Sequence, residues 1–176
     1  MSAPAPLSSL IRAALMVADL ERSSAFYRAL GLSETYYEGD LDSDSVAKTL
    51  HLPAGSRCRC RILKRASQPN YGMVGLFEIS NPKPEALAPP QSVTPRIGEV
   101  AIVFYVADLP ATFDAIAHLG ASVTPHWVNF VMPHRSQREG CLRDPDGVLI
   151  NLVERPVDEQ FATAPALVVA STLDER

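Results

Sequence analysis

Residues 11–32 read IRAALMVADLERSSAFYRALGL, and residues 101–120 read AIVFYVADLPATFDAIAHLG. Val17-Ala18-Asp19-Leu20 returns as Val106-Ala107-Asp108-Leu109, and Leu30-Gly31 returns as Leu119-Gly120, both at an offset of 89 residues. Two separate matches at one offset are the mark of a duplication. Around each match the local grammar is the same: a β-rich run, an Asp-Leu helix entry, a helical stretch and a glycine stop. In the first copy Ile11, Ala13, Leu15 and Val17 alternate with Arg12, Ala14 and Met16, the period of a strand with one packed face. The Asp19 carboxylate is placed to accept the free N–H groups of a first helical turn. Leu20, Ser24, Tyr27 and Leu30 follow at helical spacing before Gly31 ends the element. The second copy runs as a strand over 100–106, then Pro110 in the first turn, Phe113, Ile116, Ala117 and Gly120.

Beyond each helix three more strands are predicted, over 34–37, 57–63 and 73–79 in the first copy and 122–124, 138–143 and 148–153 in the second. Asp144-Pro145-Asp146-Gly147 is a turn between the last two. The fold class is therefore α+β, two βαβββ modules over residues 10–80 and 98–155, joined by a proline-rich linker over 81–97. Residues 156–176 read as a C-terminal tail in which 167–170 form a short docking segment.

The 176 residues suffice for one compact body or for two half-size modules sharing a core. Apolar residues at 47% and charged residues at 20% match a globular chain rather than a disordered one. No apolar run approaches the roughly 20 residues of a membrane span. The first residues lack a basic segment followed by an apolar one, so a cytoplasmic protein is expected. A net charge of −4 gives no support for nucleic-acid binding. Cys58, Cys60 and Cys141 are an odd number, and Cys58-Arg59-Cys60 lacks the spacing of a zinc knuckle or a thioredoxin motif; buried thiols are expected.

The 11–32 stretch resembles the entry strand and helix of the vicinal oxygen chelate class, the glyoxalase, bleomycin-resistance and extradiol-dioxygenase superfamily. The Asp144–Gly147 turn followed by Val148-Leu149-Ile150-Asn151-Leu152-Val153-Glu154 resembles that superfamily's final hairpin, so the resemblance spans residues 10–155. It implies curled sheets enclosing a cleft, and it leaves the activity to the site. In metal-dependent relatives four ligands rise from the concave sheet face. On that pattern Arg12 takes the first position, Ala101 its counterpart in the second copy, Glu78 the fourth-strand position and Asn151 the last. Arg12 has no lone pair to offer and Ala101 no donor, so no metal and no cofactor are expected there. Glu99 lies on the Ala101 face, and solvation is its simpler role. His126 and His134 form no metal motif.

Glu78 and Asn151 differ by 73 rather than 89, so this placement gives the first copy 16 extra residues, around 40–56. Arg12 and Glu78 are expected to form a pair, either structural or catalytic, with Arg12 holding an anionic ligand and Glu78 moving a proton. Arg57, Arg59 and Arg61 alternate with Cys58, Cys60 and Ile62. Packing of the apolar face on the helix would turn the arginines to the cavity, with Arg59 assisting Arg12; a charged edge strand gives the same pattern. Val103 and Tyr105, with Asn151, complete a substrate-binding lining, and Trp127 closes over it or anchors its loop.

The resemblance and these residues lead first to a metal-independent lyase or isomerase acting on a small oxygenated, anionic organic substrate. The alternatives are a non-catalytic sequestering protein of the bleomycin-resistance type, and a metal-dependent lyase or dioxygenase with displaced ligands. A homodimer is expected, as relatives of this length often complete their clefts across two chains. No nucleic-acid or membrane partner is expected.

Overall fold

The computed structural model describes residues 8–87, 95–122, 127–132 and 135–160. Strand β1 (Arg12–Met16) leads into helix α1 (Leu20–Ala29), then β2 (Glu34–Asp40), a short helix α2 (Asp44–Thr49), β3 (Arg57–Lys64) and β4 (Met73–Ser80). The second half repeats the plan with β5 (Ala101–Val106), α3 (Leu109–Ile116), β6 (Val128–Met132), β7 (Arg135–Arg143) and β8 (Leu149–Glu154), followed by a 3-10 turn, Val157–Glu159. Each half forms one four-stranded mixed sheet, in the orders β1-β4-β3-β2 and β5-β8-β7-β6. Neither sheet closes into a barrel.

The two helix entries are built alike. Asp19 accepts from the Arg22 N–H at 2.9 Å and Asp108 from the Ala111 N–H at 2.9 Å, each in an extended conformation ahead of the first turn. The next residues, Leu20 and Leu109, are completely buried. Their own N–H groups are satisfied from the sheet, by Glu78 at 2.7 Å and Glu154 at 2.9 Å. Gly31, at φ +104°, takes the left-handed conformation that releases the chain from α1.

One core is shared by both halves. Val17, Leu20, Phe26, Tyr27, Leu63, Val74 and Leu76 from the first meet Leu109, Phe113, Ile116, Leu142, Ile150 and Leu152 from the second. The turn at 144–147 fastens the halves together. Tyr27 donates to the Asp144 carboxylate at 2.8 Å, while Asp146 accepts from the Ala18 N–H, the Ser23 hydroxyl and Arg22. Burial holds the Asp144 carboxyl above the usual range, and the Tyr27 phenol is also pushed up by burial and by Asp144.

Of the strand expected over 122–124 only Ser122 is among the described residues, where it bridges to Arg143; a strand the sequence reading did not place, β6, follows over Val128–Met132. Helix α2 had no counterpart in the sequence reading. Its segment carries Leu41 and Leu52 onto a second apolar cluster, Cys58, Cys60, Ile62, Met73, Phe77 and Ile79, on the face of the first sheet away from α1. That face assignment corrects the expectation for β3. The cysteine side does not pack on α1; the arginine side does. Arg61 is buried between Glu21 and Ser24 of α1 and Glu38 of β2, at 2.6–3.1 Å, and β3 is an inner strand rather than a charged edge. A guanidinium holding two carboxylates and a hydroxyl is stable beneath a helix, whereas the soft thiols tolerate an apolar cover lacking partners.

Candidate functional site

The register of the two sheets makes the halves superposable residue by residue. Arg12 lies beside Met73 as Ala101 lies beside Leu149, and Cys60 opposite Phe77 as Glu139 opposite Val153. The lattice site of Asn151 in the second copy is therefore that of Gly75 in the first, and Glu154 is the counterpart of Glu78. Both glutamates accept the first N–H of their helix, which confirms the equivalence through chemistry as well as position. The expected alignment was three residues out of step. Glu78 and Glu154 differ by 76, against 89 for the entry strand and helix, so the first copy is longer by 13 residues rather than 16.

This register separates the expected Arg12–Glu78 pair. Arg12 belongs to the open face of the first sheet, averted from the helix, where its Cδ lies 3.6 Å from the point a Cβ on Gly75 would occupy. Glu78 belongs to the opposite face, committed to Leu20 and 3.8 Å from Arg59. A carboxylate whose oxygen already accepts a helix N–H on the far side of the sheet is not the base of a site that contains Arg12. Arg59 also faces α1, pairing with Glu21 at 3.2 Å, and so does not assist Arg12. Among the described residues no carboxylate pairs with Arg12, and the Cys60 thiol, raised by burial to about 11, feels its positive charge as a lowering influence.

On the second sheet Val103 and Tyr105 do lie on the open face, 57% and 46% exposed, and Asn151 is beside Val103. The Arg155 guanidinium lies over the Tyr105 ring at 4.2 Å. Trp127 is elsewhere. It packs on the shared core beside Phe113, with Arg138 at 5.2 Å from its ring, and Gly140 leaves it room, since a Cβ there would fall 2.7 Å from Phe113 and 3.3 Å from the Trp127 Cβ. It anchors the start of β6 to the helix side of the sheet, away from the open face.

Glu139 and Gln137, both on the open face, went unsingled in the sequence. Glu139 accepts amide N–H groups from Gln137 and, at 3.2 Å, from Asn151. The signal was available: Gln137, Glu139 and Cys141 alternate in one strand, on the face of Asn151, once the register of β7 against β8 is fixed. Glu99 is held by Arg143 and Arg96, the Arg143 guanidinium first among the causes that bring its carboxyl down to about 2, so it is a structural ion-pair member. His126 and His134 lie outside the described residues.

A cavity of about 1010 Å³ runs where β1 and β5 approach one another. Every residue from Val100 to Ala107 lines it, so it lies against the edge of β5 rather than over one face. Val103 and Tyr105 border it; Arg12, Asn151 and Glu139 do not.

The superfamily's four metal positions, read from this register, hold Arg12, Gly75, Ala101 and Asn151. One is a cation, two have no donor atom, and the amide of the last is turned to Glu139. This donor set does not fit a divalent ion.

The model of the Glyoxalase/Bleomycin resistance protein/Dioxygenase superfamily matches residues 9–152, and the chain belongs to that superfamily. Among solved structures it is similar to a glyoxalase family protein from Bacillus cereus, with a TM-score of 0.74 at 17% identity over 89% of this chain and 99% of that one. It is also similar to a genomically encoded fosfomycin resistance protein from Listeria monocytogenes, with a TM-score of 0.50 at 16% identity over 90% of this chain and 99% of the other. A glyoxalase I mutant from Zea mays gives a TM-score of 0.50 at 20% identity, with 81% of this chain covering 44% of that one. These likenesses establish the fold. No curated protein matches the chain by sequence.

Proposed function

We propose that this chain binds a small organic ligand on the open faces of its two sheets without a metal at the superfamily position, and that it sequesters the ligand rather than transforming it. The observation that carries this reading is the separation of Arg12 from Glu78 by the thickness of the sheet. It leaves Arg12 as a cation on an apolar floor of Met73, Phe77 and Cys60, suited to an anionic group, with no carboxylate of its own sheet face beside it among the described residues. Open-face Val103, Tyr105, Val128 and Phe130 on the second sheet, each at least 46% exposed, suit the apolar body of an organic molecule. A homodimer in which the first sheet of one chain faces the second sheet of its partner brings these surfaces together and covers them. Unpaired thiols at Cys58, Cys60 and Cys141 accord with a reducing, cytoplasmic setting.

The test uses phenylbutyrate and its neutral amide as probes. Arg12→Ala is expected to weaken phenylbutyrate by about tenfold, as the loss of one charge-assisted contact does, and to leave the amide unchanged. Because Glu78 does not touch Arg12, this single substitution strands no carboxylate. Equal binding of both probes by the parent, or an unaffected Arg12→Ala variant, would reject Arg12 as the anion contact. A metal-independent lyase or isomerase remains the second reading, favoured by one observation only: the Glu139 carboxylate on the open face of the second sheet.

A further inference from the structure

The duplication supplies an internal control. At equivalent lattice positions of the open faces, the first copy has Arg12, Cys58, Cys60 and Gly75, where the second has Ala101, Gln137, Glu139 and Asn151. The fold places no demand for polar groups at these points, since the first copy meets it with two thiols and a glycine. The second copy nevertheless holds a carboxylate there, opposite Val128 across the strand pair and next to Val153. Both Glu139 oxygens accept from neutral amides, Gln137 Nε2 on one and Asn151 Nδ2 on the other. In giving its N–H to Glu139, each amide leaves its own oxygen buried without a partner, a cost that the first copy does not carry. Among the side chains described, no Arg or Lys forms an ion pair with Glu139: its chain neighbour Arg138 turns to Glu154 on the other face, Arg143 is held by Glu99, and Arg155, on the open face, lies over the Tyr105 ring. The carboxylate is thus fixed in orientation by two neutral amides, neither of which carries a charge to offset its own.

We propose that Glu139 is the recognition residue of a cationic subsite, with Gln137 and Asn151 as its positioning residues, and that it takes a protonated amine carried on an apolar body. The apolar body lies on Val103, Val128 and Phe130, which flank the carboxylate on the same face, while the Tyr105 ring is taken by Arg155. This rests on the reading of the open faces as the ligand surface and is independent of Arg12. If both hold, the ligand bears an ammonium and an acidic group on one apolar frame.

Phenylpropylammonium and phenylpropanol, similar in shape and differing in charge, are the probes, titrated against the full chain by NMR. The parent is expected to bind the ammonium at least about fivefold more tightly than the alcohol, and Glu139→Gln to lose that preference while retaining the alcohol. Asn151→Leu, which frees one Glu139 oxygen from its amide, is expected to reduce the preference partly. Arg12→Ala keeps the preference for the ammonium over the alcohol while losing that for phenylbutyrate over its amide, which separates failure here from failure at Arg12. Equal binding of ammonium and alcohol by the parent overturns the proposal, and that measurement needs no variant to fold. A folded Glu139→Gln that still prefers the ammonium overturns it as well.

Discussion

Glu78 and Glu154 illustrate how a single side chain can be right in identity and wrong in place. Each receives the N–H of a buried leucine at the start of a helix and thereby ties sheet to helix, at 2.7 and 2.9 Å. Glu78→Gln is expected to lower unfolding free energy by about 1 kcal/mol, the order of a lost charge-assisted bond at a partly exposed site, with phenylbutyrate affinity unchanged. Denaturant melts and titration of the same sample check both halves of that statement; a loss of affinity in a variant of unchanged stability would return Glu78 to the site. The misplacement has a physical origin. A strand pattern gives alternation but no register against its neighbour, and a slip by an odd number of residues exchanges the two faces of a sheet. Moving the fourth-strand position from Glu78 to Gly75 is such a slip. The matching ends Leu76-Phe77-Glu78 and Leu152-Val153-Glu154 carried the correction, since both copies close their last strand on the helix-binding glutamate.

At the scale of elements, the entry strand and helix of each copy were legible because their determinants are local: the capping aspartates, the buried leucines that follow them and the stop glycines. The orientation of β3 was not legible, because the residues that decide it are distant in sequence. Arg61 turns to the helix only because Glu21, Ser24 and Glu38 assemble there. The turn at 144–147 was readable as a turn but not as a fastening, since its partners, Tyr27, Ser23 and Ala18, belong to the other half. Tyr27→Phe removes the one hydroxyl that Asp144 accepts across the halves and is expected to cost about 1–3 kcal/mol, measured by denaturant unfolding. An unchanged midpoint would mean that Asp144 finds water instead. Arg143, ending β7, holds Glu99 ahead of β5, and the Glu99 carboxyl sits at about 2 rather than its ordinary 4.5. A carboxyl depressed by folding contributes stability that is present above the unfolded value and disappears as pH falls through the folded one. Acid titration of unfolding from pH 5 to pH 2 is therefore expected to be steeper in the parent than in Glu99→Gln; coincident curves would show that the pair contributes nothing.

Over the whole molecule, the 89-residue echo made the two-module architecture readable from sequence, because a duplicated unit repeats its signals wherever it lies. The use of the two open faces was less readable. Their chemistry has diverged between copies, Arg12 on one and Glu139 on the other, and which residues share a face follows from pairing that only coordinates supply. Dialysed protein is expected to retain no stoichiometric divalent metal by elemental analysis, as Arg12, Gly75, Ala101 and Asn151 offer no adequate donor set. The central claim is that ligands meet the open sheet faces. Its most direct test is chemical-shift mapping of the labelled parent with phenylbutyrate. The account requires perturbations centred on Arg12, Gly75 and Phe77 of the first sheet, extending to Val103 and Tyr105 of the second. Shifts confined to the helix side, around Glu78, Arg59 and Trp127, would contradict it.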